Sequence, residues 1–257
     1  MKSFARSGVL GLVCAFIAAP AYAADVSTGP CGFCVLWDWI PFILNGFALN
    51  VVISILAMML ALVLGIGLGL MQISESKLAS VPARFVTQLL RNAPWIVILF
   101  MIMSLIPYRI EVQGWGNFIL SDWIKATFAF SLPVMANVSE ILRGAVASVP
   151  KGQWESAESL AFSRGQSLRW IILPQCVKQM IPHLMNWFAL LVLATPLASI
   201  IGVREAVGSA QAAMESAGSS PTLLIPFYFF LMMIFFIFIY PVAIWSRRLE
   251  RNYAINS

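Results

Sequence analysis

Residues 143–175 read RGAVASVPKGQWESAESLAFSRGQSLRWIILPQ, a polar interruption in a chain otherwise dominated by long apolar runs. Proline cannot continue a helix out of Val149, so Pro150 closes whatever precedes it, and Lys151-Gly152 makes a turn. A short amphipathic helix fits Gln153 to Ala161. Trp154, Ala157 and Ala161 share one face at i, i+3 and i+7, with Glu155 and Glu158 beside them. Ser163 to Gln166 spells S-x-x-Q, a capping box that opens a second helix. Leu168, Ile171 and Ile172 give that helix an apolar face, and Pro174 disrupts or ends it. A polar segment with this much local structure, set between apolar runs, presents a surface to a soluble partner.

Outward from it the chain is built for lipid. Hydrophobic residues make up 60% and charged residues 11% of the 257, with a mean hydropathy of +0.87. A soluble domain carries about a quarter charged residues. Uncharged windows separate the charges: 36 residues between Asp38 and Glu75, 17 between Arg91 and Arg109, 25 between Lys178 and Arg204, and 31 between Glu215 and Arg247. A spanning helix needs about 20 apolar residues. The window from Lys125 to Glu140 holds only 14, and spans if Lys125 snorkels outward and Glu140 lies at the inner end. Five spans are expected, near Phe42–Met71, Ala93–Pro107, Trp123–Ile141, Ile181–Gly202 and Leu223–Trp245.

Charge sets the expected orientation. With the first span running outside to inside, the inner segments collect Lys77, Arg84, Arg91, Arg143, Lys151, Arg164, Arg169, Lys178, Arg247, Arg248 and Arg251. The outer segments hold Arg109, Lys125 and Arg204. This is the asymmetry of the positive-inside rule. It places residues 143–178 and the tail 247–257 in the cytoplasm. It also accounts for the net charge of +5 without nucleic acid.

Residues 1–23 have the order of a signal peptide: basic Lys2 and Arg6, an apolar stretch from Val9 to Ala19, and Ala21-Tyr22-Ala23 as a small-x-small cleavage site. Residues 24–41 then form a periplasmic segment. Its Cys31 and Cys34 are spaced C-x-x-C where a disulfide is permitted. Cys176 is expected to pack. His183 is the chain's one histidine, so no metal site and no cofactor are expected.

Within the spans, Gly65 and Gly69 form a GxxxG that lets helices approach closely in lipid. Asn45, Asn50, Asn137, Ser139 and Thr195 are polar positions in or near spans, and Glu140 and Arg143 are placed to pair on one helical face. Such groups mark solute pathways or interhelical hydrogen bonds.

Several stretches together resemble a known family. Glu155-Ser156-Ala157, Ala161, Ile171, Leu173 and Pro174 match in spacing the EAA loop of permease subunits of bacterial ABC importers, E-A-A, three residues, G, nine residues, I-x-L-P. Ser156 and Ala161 depart from it by small-for-small changes. Over roughly residues 40–253 the chain resembles the polar amino acid permease subfamily. Arg91-Asn92-Ala93-Pro94 is similar to R-G-T-P, Ser139 to Gly144 to A-E-I-x-R-G, and Ser148 to Gln153 to S-I-P-x-G-Q. Leu197 to Val203 is similar to L-A-S-x-I-G-V, and Leu249-Glu250-Arg251 to L-E-R. The resemblance implies an all-α membrane protein of the ABC importer permease type, with residues 42–246 as a five-helix transmembrane domain in the bacterial inner membrane. It implies as partners a pair of ABC ATPase subunits, a second permease copy or homologous permease, a periplasmic substrate-binding protein and the lipid bilayer. It implies a small polar solute as cargo, an amino acid above all.

The chain contains no G-x-x-x-x-G-K-[ST], so ATP is expected to be hydrolysed on a partner and the chain is no enzyme. Gly152, Gln153, Trp154, Glu155, Ala157, Leu160 and Ala161 are the expected ATPase-coupling residues. The subfamily's K-D-T-S is replaced by Leu193-Ala194-Thr195-Pro196, which points to a less polar path. Pro196 frees a carbonyl near Val192, and Thr195, Asn50 and Asn137 are the expected lining of the substrate path. A secondary transporter would show internal repeats, and none is evident. A membrane scaffold would leave the loop spacing unexplained.

Overall fold

The computed structural model describes residues 32–112 and 116–254, and the signal peptide and Cys31 lie outside them. The chain is a bundle of helices: α1 (Gly32–Ile73), α2 (Lys77–Asn92), α3 (Trp95–Leu105), α4 (Asp122–Ser148), α5 (Lys151–Ser159), α6 (Arg164–Ser167), α7 (Leu173–Ala194), α8 (Ala206–Ser216) and α9 (Leu224–Ala254). Between α3 and α4 stands a small antiparallel hairpin, β1 (Arg109–Val112) against β2 (Gly116–Ile119), with Arg109 opposite Ile119.

Length and apolarity alone qualify three segments to cross a membrane: Gly32–Ile73, Arg164–Ile201 and Pro221–Arg251. The bent pair α2–α3 makes a fourth. Helix α4, with 27 residues, is about 40 Å long and reaches across a hydrocarbon core of about 30 Å. Its internal Lys125, Glu140 and Arg143 are what dilute its apolarity. The expected five-helix plan is compatible with this arrangement.

Several boundaries differ from those read in the sequence. Helix α1 begins at Gly32, inside the stretch assigned to a periplasmic segment, and its 42 residues reach about 63 Å. The second span, expected over Ala93–Pro107, is the short helix α3, with 11 residues, about 16 Å. It is bent by 108° from α2 at Ala93-Pro94, because proline biases the preceding residue away from helix. Helix α2 is amphipathic with its apolar stripe outward: Leu78, Val81, Phe85 and Leu89 are exposed while Ser80, Ala83 and Thr87 are buried. Pro174 does not end a helix. A π turn over Leu168–Ile172 carries α6 into α7, so the fourth span begins in the polar loop. Lys125 is 4% exposed, its Nζ reaching back to the start of α4, 3.0 Å from the Asp122 carboxylate and 5.6 Å from the centre of the Tyr108 ring.

Helices α1 and α4 make the central contact, and the GxxxG explains how close it is. A Cβ on Gly65 would sit 2.7 Å from Val138 Cβ and 2.8 Å from the Met135 carbonyl oxygen. A Cβ on Gly69 would sit 2.9 Å from Leu142 Cδ2. Around this line pack Ile53, Ala57, Ala61, Ala129, Phe130, Val134 and Val138, all buried. One turn beyond Gly69, Gln72 Nε2 donates to Thr87 Oγ1 and Ser139 Oγ, each at 2.9 Å, and ties α1, α2 and α4 together. Cys176 packs, as expected, with Leu142, Val146 and Ile172.

Gly65→Ala should lower the thermal midpoint of the detergent-purified protein, since a side chain forced into so tight a contact costs about 1–3 kcal/mol. Gly67→Ala, where nothing lies within 4 Å of the added Cβ, should leave the melt unchanged or improve it.

Candidate functional site

The loop expected to couple to an ATPase forms a short helix with two distinct faces. Pro150 is the N-cap of α5, its fixed φ suited to a helix entry. Ala157 is buried, 1% exposed, and Trp154 is half-buried against the cluster of Leu142, Val146 and Ile172. Arg164 lies over the Trp154 ring at 5.6 Å and pairs with Glu75 at 2.7 Å. These contacts fasten the helix to the end of α1. The outward face carries Gly152, Gln153, Glu155, Ser156 and Leu160, all exposed, with Leu160 71% exposed. The apolar surface of Trp154 and Ala157 is turned into the chain, wholly for Ala157 and in part for Trp154.

Ala161 occupies a different place from the one its helical spacing suggests. Helix α5 stops at Ser159, and Ala161 is left-handed, with φ +59. The Phe162 amide donates to the Ala157 carbonyl at 3.1 Å and the Ala161 amide to that of Glu158 at 2.9 Å. This is a Schellman C-cap. The loop pattern has glycine here, and the reason is backbone conformation rather than close approach. The second helix starts as expected: Gln166 N–H donates to Ser163 Oγ and Ser163 N–H to Gln166 Oε1.

The three expected path residues fall in two places. Asn50 and Thr195, both 0% exposed, form a closed knot. Asn50 Nδ2 donates to Thr195 Oγ1 at 2.8 Å and to Glu205 Oε2 at 2.7 Å, and Asn50 Oδ1 accepts from the Ala206 amide at 2.9 Å. Thr195 Oγ1 also donates to the Val192 carbonyl at 2.7 Å, which loses its i+4 amide donor to Pro196 and accepts from the Thr195 amide as well. Beyond Thr195 the chain narrows into a 3₁₀ segment, Thr195–Ile201. Asn50 and Thr195 thus knit helices together and do not line an open path.

Glu205 was missed in the sequence. It is 0% exposed, caps α8 by accepting from the amides of Val207 and Gly208, and lies where a Cβ on Gly46 would meet its backbone at 2.8 Å. Glutamate is an uncommon N-cap residue. The available cue was the run of small residues that follows, with Ala206, Ala210 and Ala213 buried on one face of α8.

Asn137 lies apart from the knot, in a cleft of about 390 Å³ shared with Arg91, Glu140, Gln179, His183 and Trp187. Glu140 and Arg143 pair as expected, Arg143 Nε lying 3.1 Å from both carboxylate oxygens and Nη2 closing on Oε1. Arg91 joins from α2, its Nε donating to Asn137 Oδ1 at 3.2 Å.

Apolar helices joined through satisfied polar knots, with one short helix exposed at the end of the bundle, define a multi-helix membrane component. The chain belongs to the family described as binding-protein-dependent transport system inner membrane component, which matches residues 61–254. It is 32% identical over 214 residues to the probable amino-acid ABC transporter permease protein YckA of Bacillus subtilis (strain 168), covering 83% of this chain and 90% of that one. It is 33% identical over 189 residues to the L-cystine transport system permease protein TcyB of the same organism, covering 70% and 76%. Its fold is similar to that in a crystal structure of an amino acid ABC transporter with histidines, at a TM-score of 0.73 and 22% identity, covering 86% of this chain and 98% of that one.

Asn50→Ala would leave the Glu205 carboxylate and the Ala206 amide short of partners in a buried site. A loss of about 1–3 kcal/mol is expected, read as a lower thermal midpoint. Ala161→Gly should relieve a left-handed alanine worth about 1 kcal/mol. Hydrogen exchange of the amides of residues 157–163 should slow.

Proposed function

We propose that this chain is the transmembrane subunit of an ATP-driven importer, that its cargo is a small amino acid, and that α5 docks in a partner ATPase. The observation that carries the reading is α5 itself: a short helix fastened by Trp154, Ala157 and the Arg164–Glu75 pair, with Gln153, Glu155 and Leu160 turned outward. A helix held from beneath and bare on top transmits a push rather than absorbing it. The amino acid cargo is supported by the names of the relatives, which are amino-acid and L-cystine permeases.

The orientation follows the positive-inside rule, with α5 and the C-terminus in the cytoplasm and the β1–β2 hairpin in the periplasm. A second permease copy or a homologous permease completes the translocation path, and a periplasmic binding protein delivers the solute. Nucleotide-driven closure of the ATPase pair moves α5, and the spans respond as rigid bodies that switch access from one side to the other. Gly152 leaves room at the start of α5, where nothing lies within 4 Å of an added Cβ.

Glu155→Lys should leave membrane insertion intact and uncouple uptake from hydrolysis, since reversing a docked charge costs about 2–5 kcal/mol. The measurement is uptake and ATP hydrolysis in vesicles holding the permease with its ATPase and binding protein. Uptake at the wild-type rate removes the docking assignment. A topology reporter fused after Gly152 should read cytoplasmic and one near Gly114 periplasmic, and the reverse pattern overturns the orientation.

A further inference from the structure

Around the cleft of Asn137 the charges do not balance. Glu140 is the one carboxylate among its lining residues, and Arg143 already holds both of that carboxylate's oxygens. Arg91 is left over. Its Nη1 stands 3.9 Å from Glu140 Oε1, beyond hydrogen-bonding distance, and among the described residues it donates one hydrogen bond, from Nε to Asn137. A guanidinium offers five N–H donors. Most of those on Arg91 remain to be used, on a side chain 35% exposed.

The surroundings hold this guanidinium in place. Asn137 is pinned by its own Nδ2 donating to the Pro133 carbonyl at 2.8 Å, so Oδ1 fixes the direction of Arg91. Arg91 itself lies on the last turn of α2, just before the 108° bend. Opposite it, His183, Gln179 and Trp187 stand on α7, a polar and aromatic wall. At Gly144 no heavy atom lies within 4 Å of an added Cβ, which leaves the floor open. A volume of about 390 Å³ suits a small solute, and sites of this kind set a few polar groups among apolar walls.

We propose that this cleft is a carboxylate-binding station, in which the free Nη donors of Arg91 receive the carboxylate of a small amino acid. Arginine suits the task because its planar fork matches a carboxylate with two parallel hydrogen bonds. Arg91 stands where the end of α2 meets α4 and α7, so its guanidinium faces a cleft rather than open solvent on every side. Trp187 and Met180 offer apolar surface to the side chain of the solute. The identity of the solute as an amino acid rests on the function proposed above. The carboxylate specificity rests on Arg91 alone.

The test uses the assembled importer in membrane vesicles, with Cys14, Cys31, Cys34 and Cys176 replaced and Gly144→Cys as the reporter. Labelling of position 144 by a water-soluble maleimide is followed with a mixture of neutral L-amino acids, with their α-amides, or with propionate. Amino acids should slow labelling and the amides should not. Arg91→Gln should raise the concentration needed for protection about tenfold or more, the loss of a charge-assisted pair, while Arg91→Lys retains part of it. Thermal melts of both variants confirm that the fold is kept. Equal protection by amides, undiminished protection in Arg91→Gln, or no protection by any probe in any nucleotide state overturns the station. Protection by propionate alone, lost in Arg91→Gln, sustains the station and removes the amino acid reading.

Discussion

The close approach of α1 and α4 at Gly65 and Gly69 is the contact on which the remaining architecture depends. Two backbones that meet with a carbonyl oxygen 2.8 Å from a would-be Cβ accept a larger residue only by moving apart. Fixing those two helices also fixes what each carries. At one end, Gln72 reaches across to Ser139 and Thr87 and so positions α2. Further along α1, Asn50 engages Thr195 and Glu205 and so positions both the end of α7 and the start of α8. In lipid no water is at hand to satisfy polar groups within the hydrocarbon, so each must find its partner in the protein. These bonds are therefore as specific as the apolar packing is permissive.

What was legible in the sequence follows this division. The GxxxG, the Ser163–Gln166 capping box, the Glu140–Arg143 pair and the need for a donor near Val192 depend on residues close together in the chain. Each is present in the structure. Local rules also exposed the amphipathic helix of residues 151–159 to within two residues.

Long-range features were less visible. The partner of Asn50 is a glutamate 155 positions away, and no periodicity connects them. The uncharged window placed the second span at Ala93–Pro107, close to α3, but did not show the 108° bend that precedes it, because a window measures composition, not direction. Pro174 was read as disrupting or ending its helix, since a proline removes one amide donor, and the disruption is what occurs. A π turn accommodated it by shifting the bond to Leu168, and helical spacing does not reveal that option. Ala161 was placed on a helix face by counting in sevens, whereas its positive φ belongs to a cap. The three polar residues assigned to one path divided into a sealed knot and an open cleft, because burial depends on neighbours from other helices.

The π turn at Leu168–Ile172 has a mechanical consequence. Without it, the polar loop and the fourth span would be separate bodies joined by a flexible joint, and force applied to one would be lost as bending. With it, residues 164–201 form one 38-residue strut of about 57 Å. The near end of that strut pairs with the turn just past α1 through Arg164 and Glu75, and its far part is bonded to α1 through Thr195 and Asn50. A beam fixed to a second beam at two distant points is a truss. Two ties so far apart hold the run against rotation and slippage along α1 better than either would alone.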